Sequence, residues 1–191
     1  LPVNPQIPLL ISIGRMDQQK GIDLALEALQ VVTDQPWQLV ILGTGDQLLE
    51  SAARSLEAEY PDRVRAIIRF DSGLSHRLYA SGDMILMPSR YEPCGLAQMI
   101  AMRYGCIPVA RATGGLQDTI TDSRKANQNT GFLFKDTTAD SFTVALLRAL
   151  AFYNNKPGWT AMQQRCMQQD FSWTRSAIDY AKIYIKLMEG A

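Results

Sequence analysis

The sequence predicts an α/β fold built on a parallel sheet. Short apolar runs alternate along the chain with longer runs whose apolar residues have helical spacing. This alternation is typical of parallel strands, because each must be joined to the next by a crossover, usually a helix. The 191 residues, 47% of them apolar and 20% charged, suffice for one compact domain with a sizeable core.

The elements follow one another in a regular order. Six apolar runs bounded by turn residues are the predicted strands, at residues 9–14, 37–43, 64–70, 84–88, 107–110 and 131–134. The five intervening segments with helical spacing lie at residues 21–32, 46–60, 75–82, 96–105 and 116–122. The prediction is therefore a Rossmann-like parallel sheet of about six strands with helices on both faces.

Three further helices are predicted after the last strand, at residues 138–154, 157–169 and 174–190. The last has one apolar face, formed by Ala177, Tyr180, Ile183, Tyr184 and Leu187. That face must pack on this domain or on another one. We treat residues 1–191 as a single lobe, with 1–8 as a proline-containing linker and 172–191 as a C-terminal helical segment.

Composition excludes several classes of function. Nineteen Lys and Arg balance nineteen Asp and Glu, which argues against nucleic acid and anionic membrane surfaces as partners. No stretch approaches the ~20 apolar residues of a membrane-spanning helix. Three widely spaced cysteines and a single histidine make a disulfide framework and a structural zinc site implausible. We therefore expect no metal.

Four loops follow predicted strands at the edge where parallel sheets bind ligands. The first, "GRMDQQKG", places Arg15 and Lys20 before a helix that begins after Gly21. Two cations beside a helix N-terminus suit a phosphate group, because backbone N–H groups add to the side-chain charges. The alternative is that both cations are solvated loop charges.

The second loop, "GTGD", argues against binding of a nicotinamide dinucleotide. The G-x-G-x-x-G fingerprint needs a third glycine at position 48, where Leu48 stands. We interpret this loop as structural, with Asp46 capping the next helix.

The third loop, "SRYEPCGLAQ", carries a carboxylate between a strand and a helix. A glycine at the start of the helix allows the amides of Gly95, Leu96 and Ala97 to face an anion, and Glu92 can accept hydrogen bonds from ligand hydroxyls. Cys94 could be a nucleophile, but no base partner is evident. A packed or ligand-lining thiol is the better interpretation.

The fourth loop, "RATGGLQDT", contains Gly114 and Gly115, which could bring the backbone close to a ligand.

Two aromatic side chains have more than one possible role. His76, on a predicted helix, is expected to pack or to form hydrogen bonds. Phe70 ends the third strand, where an aromatic side chain is ordinarily part of the core, although at a strand tip it can stack on a flat base.

Taken together, "SIGRMDQQKG", "SRYEPCGLAQ", "TGGLQDT" and "DFSW" resemble the bacterial glycogen synthase and plant starch synthase family. The match covers essentially the whole chain and corresponds to the C-terminal, nucleotide-sugar-binding lobe of a two-lobed GT-B glycosyltransferase. The resemblance implies transfer of glucose from ADP-glucose to an α-1,4-glucan, with retention of configuration and without a cofactor or metal ion.

The resemblance also implies where the remaining parts of the reaction lie. The glucan acceptor would bind mainly to the N-terminal lobe, to which the segment 172–191 would cross back. This lobe alone would then have negligible transfer activity. The compartment implied is the bacterial cytoplasm or the plastid stroma.

Residue roles follow from the same resemblance. Arg15 and Lys20 would neutralise the diphosphate of departing ADP. Glu92 would hold the donor sugar and stabilise its developing positive charge. Phe70 would lie against adenine, and Cys94 would line the pocket.

The loop glycines Gly95, Gly114 and Gly115 would lie at the substrate, while Leu96 and Ala97 would offer amides to the distal phosphate. The chain departs from some relatives, which have threonine at position 97 and tyrosine at position 70, so that a hydroxyl contact is lost at each. Ile100 stands where many other GT-B enzymes have a second carboxylate, which favours the starch and glycogen synthase branch.

Two alternatives stay open from the residues. One is a noncatalytic nucleotide- or glucan-binding module on the same scaffold, although a module that only binds has no need of the sugar-facing Glu92. The other is a domain of a nicotinamide-dependent oxidoreductase, which fits the order of strands and helices but lacks the glycine fingerprint.

Overall fold

The predicted α/β fold is confirmed by a computed structural model, which describes residues 1–123 and 125–189. Six parallel strands form one sheet in the order β3-β2-β1-β4-β5-β6. The strands are β1 (Leu9–Ile13), β2 (Gln38–Gly43), β3 (Val64–Ile68), β4 (Met84–Met87), β5 (Ile107–Arg111) and β6 (Phe132–Phe134).

Helices cover both faces of this sheet. They are α1 (Ile22–Val31), α2 (Gln47–Glu59), α3 (Ser72–Ser81), α4 (Ala97–Arg103), α5 (Gly114–Thr119), α6 (Ala139–Tyr153), α7 (Lys156–Met167) and α8 (Trp173–Glu189), with a 3₁₀ turn at Ala126–Gln128. Helix α1 packs against α2 and α6, while α4 packs against α3, α5 and α7.

The strand order creates a crevice in the middle of the sheet. The chain runs outward from β1 through β2 to β3, and then returns to place β4 on the other side of β1. The helices that follow β1 and β4, α1 and α4, therefore cover opposite faces of the sheet. Such a switch point, at the carboxyl ends of the strands, is where open α/β sheets bind ligands.

The core lies between the sheet and the helices that cover it. Every residue of β2 and of β4 is buried, as expected for central strands covered on both faces. Trp37, which precedes β2, is fully buried, and its indole N–H donates to the carbonyl of Val32 at 2.9 Å. The buried core extends from β3 to β6 and anchors the loops at the edge of the sheet.

Two helices begin two or more residues earlier than the sequence predicts, α3 by three residues and α5 by two. Helix α3 begins at Ser72 because the carboxylate of Asp71 accepts a hydrogen bond from the amide of Leu74 at 2.9 Å. Helix α5 begins at Gly114, so both glycines lie in its first turn. The predicted capping of α2 is confirmed, since the carboxylate of Asp46 accepts hydrogen bonds from the amides of Leu48 and Leu49.

Helix α8 forms as predicted but has no buried residue among residues 173–189. The predicted apolar face is open, with Tyr180 exposed by 57% and Leu187 by 65%. The sequence left this domain and another domain as candidate partners of the face. The described part of this lobe does not cover it. Residues 190 and 191 of the predicted segment lie outside the described residues.

Candidate functional site

The loops that follow β1 and β4 meet at the switch point. Gly21 has φ +67°, and a Cβ at that position would overlap the carbonyl oxygen of Pro88. Only glycine allows this approach, both for its left-handed backbone and for the missing side chain. Beside it, the amide of Arg90 donates to the carbonyl of Gln19 at 2.8 Å. The two loops thus form one continuous wall.

An ion pair crosses between these loops. The Nζ atom of Lys20 lies 2.6 Å from Oε2 of Glu92, and Oγ of Ser89 donates to the same oxygen at 3.1 Å. The Glu92 side chain is only 8% exposed. Burying a carboxylate without a partner costs free energy. The hydrogen bonds from Lys20 and Ser89 offset that cost by stabilising the negative charge. Within the described residues no donor takes the other oxygen, Oε1, which leaves it available to a ligand.

A cavity of about 460 Å³ opens beside this pair. Its polar lining includes Arg15, Lys20, Ser89, Glu92 and the backbone of residues 95–97, and its floor is formed by apolar side chains of the central strands and α1. A concave, largely apolar site with a few convergent polar groups is the usual form of a small-molecule site.

A second cavity of about 350 Å³ continues from the first. The two share Ile13, Gly14, Arg15 and Leu42, and Phe70 lines the far end. Phe70 lies beyond the last residue of β3 and is 86% exposed. Of the two roles considered for this ring, its exposure excludes a place in the core and leaves a ring that is able to stack on a flat base. The two cavities form one elongated groove, with Phe70 at one end and Glu92 at the other.

The two predicted cations both line the groove but have different partners. The guanidinium of Arg15 pairs with Asp17 at 2.9 Å, and its side chain is 69% exposed. Lys20 instead contacts Glu92, and its side chain is 29% exposed. Both cations are therefore paired with a carboxylate, but the Arg15 side chain is far more accessible to an incoming anion than that of Lys20.

The residues at the start of α4 face the same cavity. Gly95, Leu96 and Ala97 all line it, and Ala97 is the first residue of the helix. Among the residues that the structure describes, nothing accepts a hydrogen bond from their three amides. These N–H groups are therefore free to bind a ligand.

Gly114 and Gly115 bring the backbone close to another loop and not to the cavity. The amide of Gly115 donates to the carbonyls of Glu92 and Pro93, both at 3.1 Å. A Cβ on Gly115 would overlap the carbonyl oxygen of Cys94, and one on Gly114 would overlap that of Glu92. The first turn of α5 thus supports the Glu92 loop from behind.

Cys94 and His76 lie outside the groove lining. Cys94 is exposed and absent from the residues that line either cavity, although its neighbour Gly95 lines the first. His76 is exposed on α3, where its ring centroid lies 6.5 Å from that of Tyr104. This is the packing role expected of a histidine on a helix face.

Several residues that support the site were missed in the sequence. Ser89 is 1% exposed and Gln98 is fully buried. The side-chain amide of Gln98 donates to the carbonyls of Cys94 at 3.1 Å and Gly95 at 3.0 Å, which fixes the turn. Both lie in the "SRYEPCGLAQ" stretch, and for Ser89 the available signal was its position directly after a buried strand.

No group of three or more His, Cys, Asp or Glu side chains that could hold a metal ion occurs within residues 1–123 and 125–189. In the same residues, no helix is both long and apolar enough to cross a membrane.

The family of the chain is identified by its sequence. The sequence model described as "Glycosyl transferases group 1" matches residues 2–157. The chain belongs to this family. The resemblance to glycogen and starch synthases is confirmed by curated relatives. A glycogen synthase of Anaeromyxobacter sp. is 48% identical over 187 residues, covering 98% of this chain and 39% of the relative.

A glycogen synthase of Anoxybacillus flavithermus is 41% identical over 192 residues, covering 100% of this chain and 40% of the relative. The chain thus spans about two fifths of the length of the curated relatives it matches.

Solved structures of family members agree. The catalytic domain of starch synthase IV from Arabidopsis thaliana, bound to ADP and acarbose, superposes with a TM-score of 0.86 at 36% identity, covering 96% of this chain and 39% of that one. Sucrose-phosphate synthase from Thermosynechococcus elongatus has a TM-score of 0.71 at 27% identity, with 98% and 47% covered. These likenesses confirm the predicted fold, one Rossmann-like lobe of the GT-B type.

Proposed function

We propose that the chain is the donor-binding lobe of a retaining glucosyltransferase that extends an α-1,4-glucan from ADP-glucose. One observation carries the proposal: a buried carboxylate, Glu92, stands at one end of a groove that has an exposed aromatic ring, Phe70, at the other and Arg15 between them. A flat base, a diphosphate and a sugar follow one another in the same order in a nucleotide sugar.

The chemistry of the groove assigns each part of the donor. Adenine stacks on Phe70, whose exposed face offers a planar apolar surface. The diphosphate lies at Arg15, Lys20 and the free amides of the residues that start α4. Glucose hydroxyls donate to Glu92 Oε1, the oxygen without a donor among the described residues. Support comes from the similar starch synthase, which was solved with ADP and acarbose.

Charge stabilisation requires no metal ion in this proposal. As the bond between glucose and the diphosphate breaks, negative charge grows on the leaving ADP and positive charge on the sugar. Arg15 and Lys20 are placed to stabilise the first, and the carboxylate of Glu92 the second. Glucosyl transfer by the full-length protein should then survive EDTA.

A single lobe is expected to bind donor without transferring glucose. Catalysis between two lobes depends on holding the acceptor against the donor, and losing one lobe forfeits orientation effects of up to ~7–11 kcal/mol. We propose that the α-1,4-glucan acceptor binds mainly to the other lobe. The reported glycogen synthase relatives are bacterial, which favours the bacterial cytoplasm over the plastid stroma as the compartment.

Calorimetric titration tests the proposal. The chain is titrated with ADP, ADP-glucose, UDP and NAD, and the titration is repeated with Lys20→Ala. ADP and ADP-glucose should bind in preference to UDP and NAD, and Lys20→Ala should weaken both at least tenfold, as expected for loss of a charge-assisted contact. Lys182→Ala is the matched control, since it removes a lysine paired with Asp179 at 2.9 Å on α8.

The results that contradict the proposal are specific. Equal affinity for NAD and ADP would favour the alternative of a nicotinamide-dependent oxidoreductase domain. Unchanged ADP affinity in Lys20→Ala would remove Lys20 from the phosphate site. Binding of ADP without glucosyl transfer by the full-length protein would favour the noncatalytic module, and failure of the full-length protein to bind ADP would overturn the donor site altogether.

A further inference from the structure

We propose that Arg90 and Asp23 are positioning residues, which brace the Lys20 loop against the Glu92 loop. This brace sets the spacing between the two ends of the groove, where the diphosphate and the sugar are proposed to bind. This inference rests on the proposed function and deepens it. Neither residue lines the groove. Their contacts instead join the Lys20 loop to the Glu92 loop.

The brace has four hydrogen bonds in which Arg90 is the donor. Its Nη1 and Nη2 atoms contact the two carboxylate oxygens of Asp23 at 2.8 and 2.6 Å. Nη1 also donates to the carbonyl of Gln18 at 2.8 Å, and the backbone amide of Arg90 to that of Gln19 at 2.8 Å. A bidentate pair of this kind fixes orientation as well as distance.

The brace lies close to the reacting groups in sequence on both sides. Asp23 is in the first turn of α1, three residues after Lys20, where the helix N-terminus favours a negative charge. Arg90 precedes Glu92 by two residues. A shift of either partner would therefore move a groove residue directly.

Arg111 fixes Arg90 from the other side. Its Nε donates to the carbonyl of Ser89 at 2.7 Å, and Nη2 donates to the carbonyl of Arg90. Arg111 ends β5. The Glu92 loop is thereby tied to β5, while the brace ties it to α1 and the loop after β1.

The need for such a brace follows from the double role of Lys20. Lys20 contacts Glu92 at 2.6 Å. When Lys20 turns to a diphosphate, that contact weakens or is lost, and it can no longer hold the loops together. The Arg90–Asp23 pair uses neither group, so it keeps the loops in register while donor is bound.

The brace stays charged across the neutral range. The hydrogen bonds from Arg90 hold the pKa of Asp23 below its ordinary value, and Asp23 raises the pKa of Arg90, with Glu27 a further nearby negative charge. The pair is thus a permanent support. Its side chains are 34% and 29% exposed, so solvent only partly screens it.

The test compares this pair with a matched ion pair elsewhere. Arg65 and Glu57 lie 2.6 Å apart on β3 and α2, with side chains 41% and 25% exposed, and Glu57 also accepts from a backbone amide. Single and double alanine variants of both pairs are titrated with ADP and unfolded in urea. The four single changes should lower the urea midpoint to similar extents.

The affinity for ADP should differ between the variants of the two ion pairs. Asp23→Ala and Arg90→Ala should each raise the Kd for ADP about tenfold, in the range found when residues that orient a binding group are removed. The double variant should be no worse than either single one, because the two side chains act as a unit. Wild-type affinity in the brace variants, additive losses, or an equal loss in the Arg65 and Glu57 variants would each overturn the proposal.

Amide hydrogen exchange without ligand keeps this test independent of the proposed function. Peptides that cover residues 14–21 and 88–96 should exchange faster in Asp23→Ala and Arg90→Ala than in wild type, and at the wild-type rate in Glu57→Ala. If wild type fails to bind ADP, the donor site is wrong while exchange still decides the brace. Unchanged exchange in both loops would show that no brace exists.

Discussion

Glu92 shows how the lobe keeps a charged group at the bottom of a groove. Oε2 receives Lys20 and Ser89, whereas Oε1 has no donor among the described residues. A carboxylate satisfied on one side only is ready to accept hydrogen bonds from a sugar without being rearranged. Preorganisation of this kind is what electrostatic catalysis requires, since no cost of reorientation arises during the reaction.

Phe70 offers a residue-scale prediction. Phe70→Ala should weaken ADP binding between about fivefold and about 100-fold, the range that loss of base stacking on an aromatic side chain covers. Stability should change little, because the ring is 86% exposed and buries little apolar surface. Calorimetry with ADP and thermal unfolding measure the two effects.

Val31→Ala is the control for this change, since Val31 is 67% exposed at the end of α1, away from the groove. It should leave both affinity and melting temperature near wild type. If Phe70→Ala bound ADP as tightly as Val31→Ala, the base would lie elsewhere.

At the scale of elements, the site depends on backbone contacts between loops and helix starts. The first turn of α5 packs against the Glu92 loop, and Gly115 donates its amide to two carbonyls of that loop. Such contacts leave no room for a side chain, so a substitution there acts on the groove through the loop.

Gly115→Ala tests this packing. The added methyl group would overlap the carbonyl oxygen of Cys94, a backbone atom that cannot move without shifting the loop. We expect a loss of about 1–3 kcal/mol in the free energy of unfolding, typical of overpacking, together with weaker ADP binding. Urea unfolding and calorimetry give the two values.

Gly73→Ala serves as the comparison, because a Cβ there would have its nearest neighbour at 3.7 Å, an ordinary contact, in the first turn of α3. It should be neutral or slightly stabilising, as alanine is the better helix former. Equal stability of the two variants would contradict close packing at Gly115.

At the scale of the whole molecule, Asp83 links three strands at the end of the sheet opposite the groove. Its carboxylate accepts from the amide of Leu9 at 2.8 Å, its own amide donates to the carbonyl of Leu9 at 2.8 Å, and its carbonyl accepts from Ile107 at 2.9 Å. Burial raises the pKa of this carboxyl, and the Leu9 amide, Lys156 and Tyr153 oppose the shift only in part.

This shift gives the lobe a defined pH dependence. A carboxyl with a raised pKa binds its proton more tightly in the folded state, so stability falls as pH rises from the ordinary value of 3.8 through the raised pKa. Relative to Asp83→Asn, wild type should lose stability over this window. Urea unfolding between about pH 2.5 and 7 measures the difference.

Relative to Asp23→Asn, the stability of wild type should change with pH in the opposite direction. The pKa of Asp23 is lowered, so its contribution is present above the ordinary value of 3.8 and is lost as pH falls through the folded value. Parallel curves for the two asparagine variants would contradict both assignments.

The order of strands and helices, and the loops that meet at one edge of the sheet, could be predicted from the sequence. Local periodicity reports whether a segment is a strand or a helix, and parallel strands place their loops at one edge. Arg15, Lys20 and Glu92 were predicted to be neighbours on this ground, and all three line one cavity. The family motifs then indicated the donor.

The contacts between side chains of distant residues could not be predicted in this way. The Lys20–Glu92 pair joins residues 72 positions apart, and the Arg90–Asp23 pair joins residues 67 apart. The exposure of Phe70 and the use of Gly115 against a loop were likewise absent from the sequence pattern. Such contacts depend on which strands become neighbours and how closely their loops approach, and no local periodicity records either property.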